Sequence, residues 1–244
     1  MKQATLRRTR GIALDMGTES TRLLAPGSRL SQTPTRDPLT GKPVVVHGLI
    51  VDAEGAGRLA ARLIARRKSA SRVVAACPLH VASARPRLAK ALRLAGVRKV
   101  EFVGSMVAAA AGAGVDVTSP YAEMVVDVGA GLTEVAVFRN AGVLAGGTIP
   151  MGTRDLRLAE RDVDPETDRS PRGLARHVFR MWRELPIDAQ VEVIENGLVL
   201  TGGGAAIPEV VDAMQAETRL SVRAAPDPAQ AVIRGLARLA LGAR

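Results

Sequence analysis

Three short glycine turns, each closing an aliphatic run, carry most of the chemistry this chain can offer. Asp15-Met16-Gly17-Thr18 puts a carboxylate at the end of Ile12-Ala13-Leu14 and a glycine just beyond it. Glycine lets the backbone fold tightly, so that neighbouring N–H groups converge on phosphate oxygens. A carboxylate repels phosphate, but it can hold the hydration shell of Mg²⁺, which keeps several waters and prefers oxygen partners. Asp127-Val128-Gly129-Ala130-Gly131, with Thr133 close behind, repeats the plan after Met124-Val125-Val126. Two such turns gripping a polyphosphate, with Mg²⁺ held through water by Asp15 and Asp127, make a coherent site. Thr201-Gly202-Gly203-Gly204 adds a third turn, whose glycines let a flat base or ribose come close to the backbone. Taken singly, Asp-x-Gly is the composition of ordinary β-turns. The matched pair, in company with the triple glycine, is the signal.

Other reactive groups form no constellation. His47, His80 and His177 are dispersed without ligand spacing, which argues against a histidine metal site. Cys77 precedes Pro78 in an aliphatic run and reads as core rather than nucleophile. As the sole cysteine it excludes an internal disulfide and fits a reducing cytosol.

The elements that must position these turns alternate between strand and helix. Gly11–Leu24 reads as strand, turn and strand, and 25–43, rich in Pro, Ser, Thr and Arg, as an exposed connection. Leu59, Leu63 and Ile64 recur at helical spacing between Asp52 and Arg67. Val73–Pro78 and Val100–Val103 read as short strands, Arg85–Leu94 and the alanine-rich Ser105–Ala111 as helices. Met124–Val128, Thr133–Phe138 and Val143–Ile149 form a strand meander, and 157–175 a charged loop broken by Pro165 and Pro171. His177–Leu185 is a helix, Gly197–Leu200 a strand, and Ile207–Glu217 and Ala229–Leu241 closing helices. Such alternation predicts α/β layers. "ALDMGTESTRLL" and "VVDVGAGLTEVAV" share one plan, which points to a duplicated fold whose halves face each other across a cleft.

Composition agrees with that class. The chain has 244 residues, 47% hydrophobic but only 2% aromatic, so its core is built from Ala, Val, Leu and Ile, as in buried parallel strands. A formal charge of +10 attracts anionic surfaces or a polyphosphate. Nucleic acid is disfavoured, because aromatics to stack on bases are nearly absent and the basic residues are scattered. No apolar run is long enough to cross a bilayer. The start, MKQATLRRTR, lacks a signal peptide's apolar core. It can lay Arg7, Arg8 and Arg10 on anionic lipid, though with only Met1 and Leu6 as bulky apolar groups a frayed tail is the plainer reading.

In order and spacing the three turns resemble the phosphate-1, phosphate-2 and adenosine motifs of the actin, sugar-kinase and heat-shock-chaperone ATPases. Within that superfamily "GIALDMGTESTRLL", "MVVDVGAGLTEVAVF" and "VIENGLVLTGGGAAIPEV" look most like the MreB family, over most of residues 10–156 and 177–241. The resemblance implies an actin-like, duplicated ribonuclease-H-like fold of two lobes with a central nucleotide cleft. It implies ATP and Mg²⁺ as ligands. Asp15, Gly17 and Thr18 would belong to phosphate-1, Asp127, Gly129, Gly131 and Thr133 to phosphate-2, and Gly202, Gly203 and Gly204 would face the adenosine. Arg22 stands where the family has an apolar residue and actin a phosphate-contacting lysine. A cation there can pair with the β- and γ-phosphates, or serve as a surface arginine on an edge strand.

Two departures qualify the resemblance. The family glutamate that polarises the attacking water has Ser105 in its place, and a serine cannot act as a general base at neutral pH. Glu101 lies too far back on its strand to substitute, and Glu19 would repel phosphate. Between Leu158 and His177 the family inserts a small subdomain, represented here by a short charged segment, and the insertion after the first hairpin is trimmed to 25–43. The expected layout is a basic tail over 1–10, lobes over 11–115 and 116–225, and a helix over 226–244 returning to the first lobe. The expected function is a cell-shape cytoskeletal protein of the cytoplasm, peripheral to the inner face of the membrane if the tail tethers it. It would bind Mg-ATP weakly, hydrolyse it slowly or not at all, and assemble with itself or a full-length homologue. A small-molecule phosphotransferase, a chaperone-type ATPase and a scaffold that binds no nucleotide are the alternatives. The first would require a substrate-binding insertion and a catalytic aspartate, the second a peptide-binding domain, and none of these is evident.

Overall fold

A computed structural model describes residues 11–65, 72–78, 81–157, 164 and 167–241. The basic tail over 1–10 and His80 lie outside the described residues, as does most of 158–166. The chain divides into two compact units, residues 1–112 with 232–244, and 113–231.

The first unit is built on a five-stranded sheet. Strands β1 (Ile12–Met16), β2 (Ser20–Leu24) and β3 (Ser31–Pro34) form an antiparallel meander, followed by the small hairpin β4 (Val45–Val46) and β5 (Leu49–Ile50). Helix α1 (Ala53–Ile64) leads to β6 (Arg72–Cys77), α2 (Ala84–Leu94) to β7 (Lys99–Gly104), and α3 (Ser105–Ala113) follows at once. The sheet runs β3-β2-β1-β6-β7, with β6 parallel to β1 and β7 parallel to β6. Both faces are covered. Ile12, Leu14, Val73 and Ala75 pack towards α1 and α2, while Ala13, Val74 and Ala76 pack with Ala108 and with Ile233 and Leu236 of the chain's last helix, Ala231–Leu241. That two-sided burial explains why β6 reads as an unbroken aliphatic run. The alanines of α3 serve close packing: a side chain on Gly235 would meet the Ala108 carbonyl at 1.7 Å, so the two helices touch backbone to backbone.

The second unit repeats the topology. Strands β8 (Glu123–Val128), β9 (Thr133–Arg139) and β10 (Gly142–Ile149) form the meander. Helices α4 (Pro171–Arg183) and α5 (Ile187–Asn196) precede β11 (Leu198–Thr201), and α6 (Pro208–Thr218) precedes β12 (Val222–Ala224). The sheet order, β10-β9-β8-β11-β12, is that of the first unit, again with the last two strands parallel to the first. Met124, Val126, Leu198 and Leu200 face a core shared with Leu174, Val178, Val193, Val210 and Met214.

Three sequence expectations need correction. Residues 25–43 are not wholly an exposed connection: β3 forms the sheet's edge, because Ser31, Gln32 and Thr33 pair with β2 despite their polarity. The charged segment at 157–175 gives way to helix at Pro171, where Ser170 accepts from the Gly173 N–H and the proline sits in the first turn. Proline lacks only an N–H that has no partner there anyway, so it starts this helix rather than breaking it. Helix α5 and strand β12 went unread, the one being short and the other only three residues long and mostly exposed.

Candidate functional site

In the first unit the chemistry gathers where the parallel strands end. Leu14 is level with Ala75, and Cys77 with Gly104, so Asp15, Met16, Cys77 and Gly104 lie along one edge of the sheet. Carboxyl ends of parallel strands are where α/β sheets present their ligands. The β1–β2 turn closes with the Gly17 N–H donating to the Ser20 carbonyl at 3.2 Å, and a Cβ on Gly17 would stand 3.3 Å from that oxygen. Thr18 Oγ1 accepts from the Gly48 N–H at 3.0 Å, so the β4–β5 hairpin braces the turn. Arg22 lies directly across from Asp15 on β2, its guanidinium 3.5 Å from the carboxylate and its Nε donating to Gln32 at 3.2 Å. Burial pushes the Asp15 carboxyl up from its ordinary range, and Arg22 opposes that rise without cancelling it. Arg22 is therefore a built-in counter-cation for the first turn.

Ser105 opens α3 on the same edge of the sheet and is buried. Its side chain is a hydroxyl and not a carboxylate. Glu101 is level with Val74, three residues behind Gly104 and so about 10 Å back along the strand. Its carboxylate is held there by Arg72, at 2.8 and 2.5 Å, with Lys99 at 3.5 Å.

In the second unit the Asp127–Gly131 and Gly202–Gly204 turns are packed together. Thr201 is level with Asp127, so both turns leave neighbouring parallel strands at the same height. Gly129 N–H donates to the Leu132 carbonyl at 2.9 Å, and a Cβ on Gly129 would lie 2.8 Å from that oxygen. Gly202 has φ +80°, and a Cβ there would fall 2.3 Å from Asp127 Oδ1 and 2.4 Å from the Val128 carbonyl. One on Gly204 would fall 2.3 Å from Val128 Cγ1, whereas nothing stands within 4 Å at Gly203. Two of the three glycines thus let the turn lie against Asp127-Val128, and only Gly203 presents an open face.

The sequence reading missed the segment that buttresses this arrangement. Thr133, expected in phosphate-2, is fully buried, and its hydroxyl donates to the Met151 carbonyl at 2.8 Å. Thr153 and Arg154 N–H groups donate to the Gly129 and Ala130 carbonyls, each at 2.9 Å. Gly152 lies so close that a Cβ would meet Ala130 and Gly131 at 2.4 Å, and its own N–H donates to Asp155 at 2.9 Å. The Met151–Asp155 segment is thus laid across the Gly129–Gly131 turn. The one clue in the sequence was a glycine three residues past a strand end, too common a feature to single out.

Among the described residues no group of three or more His, Cys, Asp and Glu side chains is placed to hold a metal ion directly. One carboxylate per turn, beside a glycine backbone without side-chain cover, fits a hydrated Mg²⁺ carried in on a polyphosphate rather than a resident metal. Of Gly17, Gly129, Gly202, Gly203 and Gly204, only Gly203 has open space where a side chain would stand.

Comparison with known proteins bears on this geometry. The sequence model of the MreB/Mbl protein family matches residues 32–157 and 153–243. The chain belongs to the MreB/Mbl family. Cell shape-determining protein MreB of Pasteurella multocida is 25% identical, over 58% of this chain and 56% of that protein, so the chain spans a little over half the length of its sequence relatives. The structure of MreB5 of Spiroplasma citri bound to ADP superposes with a TM-score of 0.78 at 19% identity, covering 93% of this chain and 95% of that one. MamK in its double helical filament gives a TM-score of 0.71 at 15% identity, over 94% and 98%. These likenesses establish an actin-like fold, shorter here than in full-length MreB. No helix among the described residues is long and apolar enough to cross a membrane.

Proposed function

We propose that this MreB/Mbl-family chain is a cytoskeletal scaffold that binds Mg-ATP with negligible turnover and assembles with itself or with a full-length homologue. The observation that carries the reading is the seating of Gly202–Gly204 on Asp127-Val128, with Gly203 alone left open. A turn fixed at two glycines and open at the third supports a ligand-binding reading over that of a flexible connection. Each within its own unit, the Asp15 turn and the Asp127 turn offer backbone N–H groups to phosphate and a carboxylate to hydrated Mg²⁺. Arg22 supplies a cation to the phosphates, and Ser105 leaves the attacking water without a base. MreB5 of Spiroplasma citri has been solved with ADP and with AMPPNP, and MamK as a filament, which supports both halves of the reading.

Isothermal titration with millimolar Mg-ATP is expected to saturate, while phosphate release stays at background. No heat and no saturation would leave a scaffold that binds no nucleotide. Several turnovers per second, lost in a Ser105→Ala variant, would overturn the inactive-site half. Sedimentation with and without ATP, alone and mixed with a full-length MreB, tests assembly.

A further inference from the structure

Helix α5 turns an apolar stripe outward. Ile187, Val191 and Ile194 are spaced i, i+4 and i+7 and are 78%, 48% and 55% exposed, while Ala189 and Val193 on the other side are fully buried. Glu195 borders the stripe, as does Asp188, which Arg139 of the same chain already holds at 2.7 Å, and α5 itself carries no basic residue. Tyr121, 60% exposed, precedes Ala122, which Glu192 and Asn196 of α5 hold by hydrogen bonds. An aliphatic stripe with an acidic border is an unusual surface on a chain of net charge +10. Its acidity works against anionic lipid or nucleic acid and favours a basic, partly apolar protein surface.

The chain itself carries such a surface. Helix α2 has Arg85, Arg87, Lys90 and Arg93 and no acidic residue, and Leu94 beside them is 55% exposed. Of these, Lys90, Arg93 and Leu94 share one outward sector of the helix. We infer that α5 of one molecule docks on α2 of a second copy, apolar stripe to Leu94 and Glu195 to Lys90/Arg93. Two different patches make the contact heterologous, so each molecule offers one face of each kind and can recruit another. The inference rests on the self-assembly part of the proposed function and names the surfaces that would produce it.

The test uses two full-length variants, each with its secondary structure verified by circular dichroism. Val191→Lys with Glu195→Lys spoils the α5 face, and Lys90→Ser with Arg93→Ser spoils the α2 face without giving the two altered faces opposite charges. In analytical ultracentrifugation each variant alone is expected to lose assembly at least tenfold in affinity. Mixed in equal amounts, they are expected to form dimers and no larger species, because one good face of each kind remains. If wild type assembles and the variants assemble equally well, or if the mixture stays monomeric, the contact is wrong while the assembly reading stands. Wild-type protein that joins only a full-length homologue would overturn the self-contact alone. Wild-type protein that joins neither would overturn both.

Discussion

Glycine does different work at adjacent positions of the Gly202–Gly204 turn. Gly202 holds φ +80° with its missing Cβ pressed towards Asp127, so an alanine there must strain the backbone and displace the phosphate-2 turn. Gly202→Ala is expected to lower stability by about 1–3 kcal/mol in denaturant unfolding. Gly203→Ala, with open space and no positive φ, should leave the unfolding midpoint nearly unchanged yet weaken Mg-ATP binding severalfold in titration. Equal effects of the two substitutions on stability would contradict this division. Asp15 yields a pH prediction. Its pKa is raised on folding, chiefly by burial, so its favourable contribution to stability is present below the unfolded carboxylate value and is lost as pH rises through the folded one. Mg²⁺ competes with the same proton. Affinity for Mg-ATP is therefore expected to rise with pH through the raised pKa and then level off, and Asp15→Asn should flatten the profile.

At the scale of elements, the same strand-turn-strand unit is braced differently in the two halves. The first turn leans on the β4–β5 hairpin through Gly48 and Thr18, the second on Met151–Asp155 through three hydrogen bonds, two from backbone N–H groups and one from Thr133. The loop carrying the first brace is itself fixed by Asp37. Its buried carboxylate takes two hydrogen bonds from Arg58 of α1, at 3.0 and 2.9 Å, and others from Leu39 and Thr40. Arg58 is the main reason the Asp37 pKa lies far below the carboxylate range. A depressed folded pKa stabilises above the unfolded value and loses that contribution as pH falls. Asp37→Asn should therefore unfold more easily at pH 7, with the gap from wild type narrowing below about pH 4. A gap independent of pH would show that the ion pair is not its source.

For the molecule as a whole, identical strand orders in the two units make a duplicated α/β chain whose glycine turns sit at corresponding strand ends. Ligand that binds only folded protein raises stability by mass action, by about 2.7 kcal/mol at a hundredfold excess over Kd. Mg-ATP is expected to raise the thermal midpoint in a concentration-dependent way, while Gly203→Ala should need correspondingly more nucleotide for the same rise. A midpoint indifferent to Mg-ATP would oppose nucleotide binding by the native state.

The strand-turn-strand units, the alternation of strands with helices and the turns led by Asp15, Asp127 and Gly202 were legible in the sequence. Aliphatic runs ended by Asp-x-Gly are local signals, fixed by burial on both sheet faces and by glycine's backbone freedom. Helix α5, strand β12 and the polar β3 were not, since short or polar segments owe their structure to neighbours distant in sequence. Gly152 and Gly202 look alike in sequence to any loop glycine. Only tertiary packing reveals that each yields its side-chain space to another turn, and that Gly203 yields its own to none. The outward stripe of α5 was likewise invisible, because periodicity reports two apolar sides of a helix without saying which one the core covers.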